Sequence, residues 1–414
     1  MKTMKKDGQQ YTIWYKTPAQ EMWTRTLHLG NGIMGATVFG GISEEKIVIN
    51  YTHLWRHAKT MGRVNEDCTK ILQQVRSLIF QGRLREANLL AYRGLGTQWN
   101  LDVHEDWYGP DPFVPAGQID LIFPEAKECA EYRNELDMLH GISSTSYIAD
   151  GVGEKRVFFT DMNRLFTAGK LESTGGRLNV QIGLSRVEDE ECELTFVQKE
   201  HMILLKGSFF EGVAYVFGLK VVVNGGEEEI IDAGGIPRFQ ITDAESVELY
   251  AYVEMNQRGL DPEEVVTKKL EEAGKISFEE LMEAHGKTFS SYMSRVELNI
   301  EAPENWTRID EKKDTQERLE DFLNGTDDPG INTVYYQYGR YILLCSSING
   351  GKPFHLNGIW GESLKPAYNS DFHHDINSEA PYWIAETTNL SETTEALIRY
   401  VESLIPAGKE AAKK

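Results

Sequence analysis

The sequence predicts a β-rich first part followed by an α-helical second part. Two patterns carry this: apolar residues alternate with polar ones in short runs up to about residue 255, and from Ile276 onward they recur at helical spacing. A third observation separates the two parts from an ordinary α/β chain. Turn signals, not helices, connect the early runs, so the strands are expected to pair as a large antiparallel sandwich rather than as a parallel sheet.

Arg177–Leu184 shows the alternation most clearly, with Leu178, Val180, Ile182 and Leu184 on one face. Met202–Lys206, Val213–Val223, Gln240–Thr242 and Val247–Glu254 read as further strands. Asn224-Gly225-Gly226 and Asp232-Ala233-Gly234-Gly235 punctuate them as turns. One helical insertion interrupts the β-part near residues 67–92. From Asp67, the residues Ile71, Leu72, Val75, Leu78 and Ile79 follow a helical period, Gly82 breaks it, and Leu84–Leu90 continues.

In the second part, Phe278, Leu281, Met282, Phe289, Tyr292, Met293 and Val296 mark one long amphipathic helix. Asp314-Thr315-Gln316-Glu317 is a capping box, opening a helix that ends at Asn324-Gly325. Thr333–Cys345 forms a third helix, with Val334, Tyr338, Tyr341, Ile342 and Cys345 inward. Ser391–Leu404 forms a fourth, with Leu397, Ile398, Val401 and Leu404 inward, stopped by Pro406 and Gly408. These helices make a meagre core unless they pack on the β-part or on further chain, so a fragment of a longer protein is expected.

Composition bounds the function. The 414 residues are long enough for two or more domains, and 41% apolar content allows substantial cores. Asp and Glu number 64 against 43 Lys and Arg, a formal charge of −21, which argues against nucleic acid and anionic membranes as partners. The charge suits solubility and is compatible with a neutral ligand. Cys68, Cys129, Cys192 and Cys345 are far apart, so free buried thiols are expected and no zinc site is indicated. The N-terminal lysines lack an apolar stretch behind them, which assigns the cytoplasm by default, or secretion or the periplasm if the start is misassigned.

Polar and aromatic residues are densest between the last two helices, from His355 through Trp360 and Glu362, then Tyr368 to Asn377 and on to Glu386. Aromatic faces suit the C–H side of a sugar ring, while amides, carboxylates and imidazoles suit its hydroxyls; Trp360, Asn369, Asp371, His373 and His374 are the candidate contacts. The plain alternative is a loop knitted by its own hydrogen bonds. His373-His374-Asp375 lacks the spacing that puts two metal ligands on one helix face, and no cofactor is called for. Leu29-Gly30-Asn31-Gly32-Ile33-Met34-Gly35 is no phosphate loop, because no GK[ST] follows; its glycines are expected to serve turns and close packing. His28, His53 and His57 are read as structural or exposed.

Taken in order, these segments resemble glycoside hydrolase family 95, the α-L-fucosidase family. Trp14-Tyr15-Lys16-Thr17-Pro18-Ala19, Trp23 and Leu27 to Ala36 match its opening, and Val38 to Gly41, Ile49-Asn50 and Leu54-Trp55 continue it. Phe113 to Leu121, Tyr336 to Tyr341, Leu356 to Trp360, Asn369-Ser370-Asp371, Ile376-Asn377, Tyr382-Trp383 and Glu386…Asn389-Leu390 follow. The resemblance implies an N-terminal β-supersandwich at 8–275, a helical linker at 276–312 and the first helices of a truncated (α/α)6 barrel at 313–414. It implies inverting exo-hydrolysis of a terminal α-L-fucoside, or an α-L-galactoside in some members, with a glycan as partner. Two amides that hold the attacking water fall on Asp375 and Asn377, and a sugar-binding histidine falls on His373. Asp375 departs from the pattern by putting a carboxylate where the family has asparagine, and Tyr51 stands where it usually has glutamate. The acid glutamate and a supporting aspartate belong to later barrel segments, so the chain alone is expected to be inactive. A non-catalytic carbohydrate-binding module is the reading from another class.

Overall fold

The computed structural model describes residues 8–56, 68–95, 112–300 and 312–413, apart from residues 125, 127, 211, 257 and 258. His57 and Asp67, both named above, and residues 301–311 lie outside the described residues. The chain opens with β1 (Thr12–Tyr15), β2 (Leu27–Gly30), β3 (Met34–Val38) and β4 (Glu44–Tyr51), then α1 (Thr69–Phe80) and α2 (Leu84–Gly94). There follow β5 (Gly117–Ile122), β6 (Cys129–Asp137), β7 (Ile142–Ala149), β8 (Val152–Thr160), β9 (Thr167–Thr174) and β10 (Leu178–Ser185). The β-part closes with β11 (Cys192–Lys199), β12 (Met202–Phe209), β13 (Ala214–Asn224), β14 (Glu227–Asp232), β15 (Pro237–Ala244) and β16 (Ser246–Met255). Helices α3 (Pro262–Ala273), α4 (Phe278–Met293), α5 (Thr315–Leu323), α6 (Pro329–Ser346) and α7 (Thr394–Ala412) complete it.

The strands form two antiparallel sheets. One has nine strands in the order β1-β6-β7-β8-β9-β16-β13-β12-β11, and the other has seven in the order β14-β15-β10-β5-β4-β3-β2. Alternation decides which side chains turn inward: Val180, Ile182 and Leu184 of β10 join Phe217, Leu219 and Val221 of β13 in one continuous buried cluster. A buried ion pair pins the β3–β4 turn to β8. Arg156 donates to Glu45 at 3.2 Å, while Glu45 also accepts from the backbone of Phe39 and Gly40.

Several local expectations need correction. Helix α3 escaped the reading of the sequence, although Asp261 caps it and Pro262 opens it; its Val266 and Leu270 seal the outer side of β13 and β16. Helix α6 starts at Pro329, not Thr333, because Asp328 caps it and Arg318 holds that carboxylate from α5. Helix α7 runs through Pro406 and Gly408. The carbonyl that proline leaves unpaired lies in an exposed turn, where water can take it. Its buried residues are Ala396 and Tyr400, while Ile398 and Val401 are half exposed. In the insertion, Val75 and Ala87 are buried, whereas Leu72, Ile79 and Phe80 are exposed. The four cysteines are free, but only Cys192 and Cys345 are buried.

Helices α4 and α6 pack on the β-part and share its core. Arg340, fully buried on α6, ties them together by donating to the carbonyls of Met293, Tyr292 and Val296 at the end of α4 and to Thr388. Tyr292 and Met293 end α4, where carbonyls lack the next helical turn's donors, and a guanidinium supplies several donors at once.

Candidate functional site

The β2–β3 hairpin is the platform on which the polar loop rests. A Cβ on Gly30 would stand 2.7 Å from the Cys345 carbonyl oxygen, and one on Gly35 would stand 2.7 Å from that of Ile359. At Gly32 (φ +84°) it would lie 1.9 Å from the Ile348 carbonyl oxygen, so side chains are excluded by space and by backbone. The glycine segment thus lets the end of α6 approach backbone to backbone. Gly32 donates to Cys345 at 2.7 Å, and Asn349 spans the carbonyls of Asn31 and Met162.

Trp360 belongs to this joint and offers no face to a ligand. It is 2% exposed, its indole N–H donates to the Leu29 carbonyl at 2.8 Å, and its ring meets His28 edge-on. The expectation of a sugar-contacting tryptophan there is corrected: aromatic character at this position fills the seam between the two parts. His28 is buried between Trp23 and Trp360, and burial lowers its pKa to about 4. Asn50 and Gly361 bind each other twice, extending the seam along β4.

Beyond Gly361 the chain turns outward and makes an unusual bend. Tyr368, Asn369 and Ser370 all take left-handed φ values, 51°, 58° and 53°. Asn369 and Ser370 are buried, and the Asn369 carbonyl accepts from Phe113 of the β-part at 3.1 Å. Asp371 follows, 9% exposed, with the His373 Nε2 against its carboxylate. Burial raises the Asp371 pKa, and His373 opposes that shift. His373 also meets the Tyr368 ring edge-on at 5.9 Å.

The next residues form a turn closed by Ser378 donating to the His373 carbonyl at 2.9 Å. Asp375 and Asn377 stand exposed on this turn, two residues apart. His374 is exposed, stacked on Tyr400 at 5.4 Å, and 3.9 Å from Glu379. The structure therefore brings Asp371 and His373 into contact and leaves Asp375 and Asn377 open to solvent. Asn369 serves the bend through its backbone.

Residues outside the candidate set complete the surroundings. Trp55 and Phe113, which bracket the helical insertion, pack with His355 and Phe372 as an aromatic wedge beneath the bend. His355 is buried with Nε2 unpartnered, and burial lowers its pKa to about 3. Lys352, mostly buried, has its ammonium 5.7 Å above the Tyr400 ring, and burial lowers its pKa. Sequence spacing could not find this wedge, because Trp55 and Phe113 lie far from the stretch that holds His355 and Phe372. Among the described residues, no group of three or more His, Cys, Asp or Glu side chains comes together as a metal site, and no helix is long and apolar enough to cross a membrane.

Residues 277–414 match the family model described as "Glycosyl hydrolase family 95 catalytic domain", and residues 13–259 match "Glycosyl hydrolase family 65, N-terminal domain". The chain belongs to glycosyl hydrolase family 95. Among curated relatives, this family 95 chain is 24% identical to "Alpha-L-fucosidase 2" of Arabidopsis thaliana, an alignment covering 94% of this chain and 48% of that one. It is 26% identical to "Probable alpha-fucosidase A" of Aspergillus oryzae (93% and 54%) and 24% identical to the protein of that name from Aspergillus niger (97% and 51%). The chain thus spans about half the length of the curated relatives it matches. A solved structure titled "Putative kojibiose phosphorylase from human microbiome" superposes with a TM-score of 0.51 at 12% identity, covering 86% of this chain and 44% of that one. That likeness shows the fold alone: a two-sheet β-part followed by helices.

Proposed function

We propose that this family 95 chain carries the water-activating half of an inverting exo-glycosidase that removes terminal α-L-fucosyl residues. The carrying observation is the turn after the Asp371–His373 pair, which leaves the Asp375 carboxylate and the Asn377 carboxamide exposed two residues apart. An inverting enzyme needs a water held on the face of the sugar opposite the departing oxygen. In this reading Asn377 orients that water and Asp375 accepts its proton, as a general base within hydrogen-bond reach would. His373, fixed by Asp371 through Nε2, accepts from a sugar hydroxyl at Nδ1, and His374 lines the same rim. The helices α5 to α7 are the start of an (α/α)6 barrel, 276–312 is the linker and 8–275 is the supersandwich domain. The fucosidase names of the relatives support the choice of sugar.

A second reading, an α-L-galactosidase or another inverting glycosidase, is favoured by the carboxylate at Asp375. Titrating the chain with L-fucose and with L-galactose by calorimetry separates the two. Tighter binding of fucose supports the main reading, and tighter binding of galactose supports the second. The 414-residue chain by itself is expected to bind fucose without turnover. No binding of either sugar overturns both.

A further inference from the structure

The bend at 368–370 carries a consequence for ligand binding. Each of its three non-glycine residues in the left-handed region costs on the order of 1 kcal/mol. Asn369 and Ser370 offset that cost by burial and by the bond to Phe113. Tyr368 (φ 51°, ψ 32°) does not, because its side chain is 76% exposed and meets the His373 ring in a T-shaped contact. A glycine at 368 would take the same backbone without strain. The tyrosine therefore adds strain and exposes a large apolar face, and neither stabilises the fold.

We propose that the open face of Tyr368 is a stacking platform for a pyranose ring of the bound glycan. This rests on the glycosidase reading above. An aromatic ring carries partial negative charge on its face, which attracts the weakly positive C–H groups along the apolar side of a pyranose. The sugar's hydroxyls then point sideways, toward polar groups. Such groups lie close by: His373, 5.9 Å from the Tyr368 ring, with its partner Asp371, and next in the chain the turn with Asp375 and Asn377. The backbone that carries the ring is held, because the bend is anchored to Phe113 of the β-part and to Pro366, whose carbonyl accepts from Asn369.

The test is a titration of the chain with L-fucose and with a fucosylated trisaccharide, by calorimetry, for the wild type, Tyr368→Ala and Tyr368→Phe. Tyr368→Ala is expected to weaken binding about tenfold and Tyr368→Phe by less than about twofold, because stacking needs the ring and not its hydroxyl. Loss with both sugars puts the terminal ring on Tyr368, and loss with the trisaccharide alone puts the neighbouring ring there. Either result supports the platform. Melting temperatures within about 2 °C for all three proteins assign the loss to the contact itself. If wild type binds and Tyr368→Ala binds equally well, the platform is overturned while the glycosidase reading stands. If Tyr368→Phe loses as much as Tyr368→Ala, the hydroxyl is the contact and stacking is overturned. If the wild type binds neither sugar, the glycosidase reading falls and takes the platform with it.

Discussion

The carboxamide of Asn50 and the peptide group of Gly361 are joined by two hydrogen bonds, Nδ2 to the Gly361 carbonyl at 2.9 Å and the Gly361 N–H to Oδ1 at 3.0 Å. Both groups are buried, so an unpaired half would lie out of reach of water. This pair anchors the polar loop to the C-terminal end of β4. Asn50→Ala leaves a buried donor and acceptor without partners and is expected to cost about 2–3 kcal/mol. Chemical denaturation reads that loss directly, and an unchanged midpoint would falsify the anchoring role. Asn50→Asp keeps the acceptor but loses the donor, so it should be destabilising too.

Arg340 gathers the end of α4, the body of α6 and the Thr388 carbonyl around one guanidinium. Arg340→Met keeps a long side chain but removes the donors to Met293 and Thr388, while Tyr292 and Val296 keep others, and a loss of about 2–3 kcal/mol is expected. Arg340→Lys should recover only part of it, because an ammonium cannot reach several carbonyls in a fixed plane. Equal stability of the lysine variant and the wild type would show that charge alone matters.

His28, His285 and His355 are buried and held neutral, with pKa values lowered to about 4, about 4 and about 3. The sign follows from linkage. A depressed folded-state value means that the fold prefers the neutral ring, so the contribution is complete above the unfolded value near 6.5 and is lost as pH falls toward 4. Each shift corresponds to roughly 3 kcal/mol or more, so stability should drop steeply between pH 6.5 and 4. His28→Phe keeps a ring between Trp23 and Trp360 and removes two unpartnered nitrogens. It should shift the acid unfolding midpoint downward without lowering the melting temperature at pH 7.5. Acid unfolding identical to that of the wild type counts against this account.

Asn369 holds φ 58° with its backbone bonded to Phe113. Asn369→Gly relieves that strain but loosens the unfolded chain and removes a buried side chain. The net change is expected to be within about 1 kcal/mol, whereas Asn369→Val should cost more than about 2 kcal/mol, because a branched Cβ clashes in this region. Thermal unfolding of the two variants ranks them, and the reverse order would contradict the strain argument.

Asp371→Asn removes the charge that faces His373 while keeping its shape. Under the proposed function, sugar binding should weaken about three- to tenfold. Titration with L-fucose measures it. Full affinity would free His373 from dependence on Asp371.

Much of the β-part was legible from short-range pattern, because alternation at Leu178–Leu184 reports directly which face a strand buries. The capping box at Asp314–Glu317 was legible for the same reason: all of its partners lie within four residues, and the structure forms both of its bonds. Helix α3 was not, because its buried face is thin and Val266 and Leu270 matter only once β13 and β16 lie beneath them. The continuation of α7 past Pro406 was hidden as well, since whether a proline ends a helix depends on how the freed carbonyl is solvated.

The sequence by itself determined the order of β-part and helices, the family and the stretch where polar and aromatic residues concentrate, all properties carried by neighbouring residues. Only the tertiary structure decided what each of those residues does. Trp360 and Asn50 turn inward to the seam because a hairpin of glycines lets the end of α6 come close. Tyr368, Asp375 and Asn377 stay outside because Phe113, some 250 residues earlier in the chain, catches the Asn369 carbonyl and fixes the bend. Such contacts depend on closing long loops and excluding water between surfaces, and no local pattern records where those surfaces will meet.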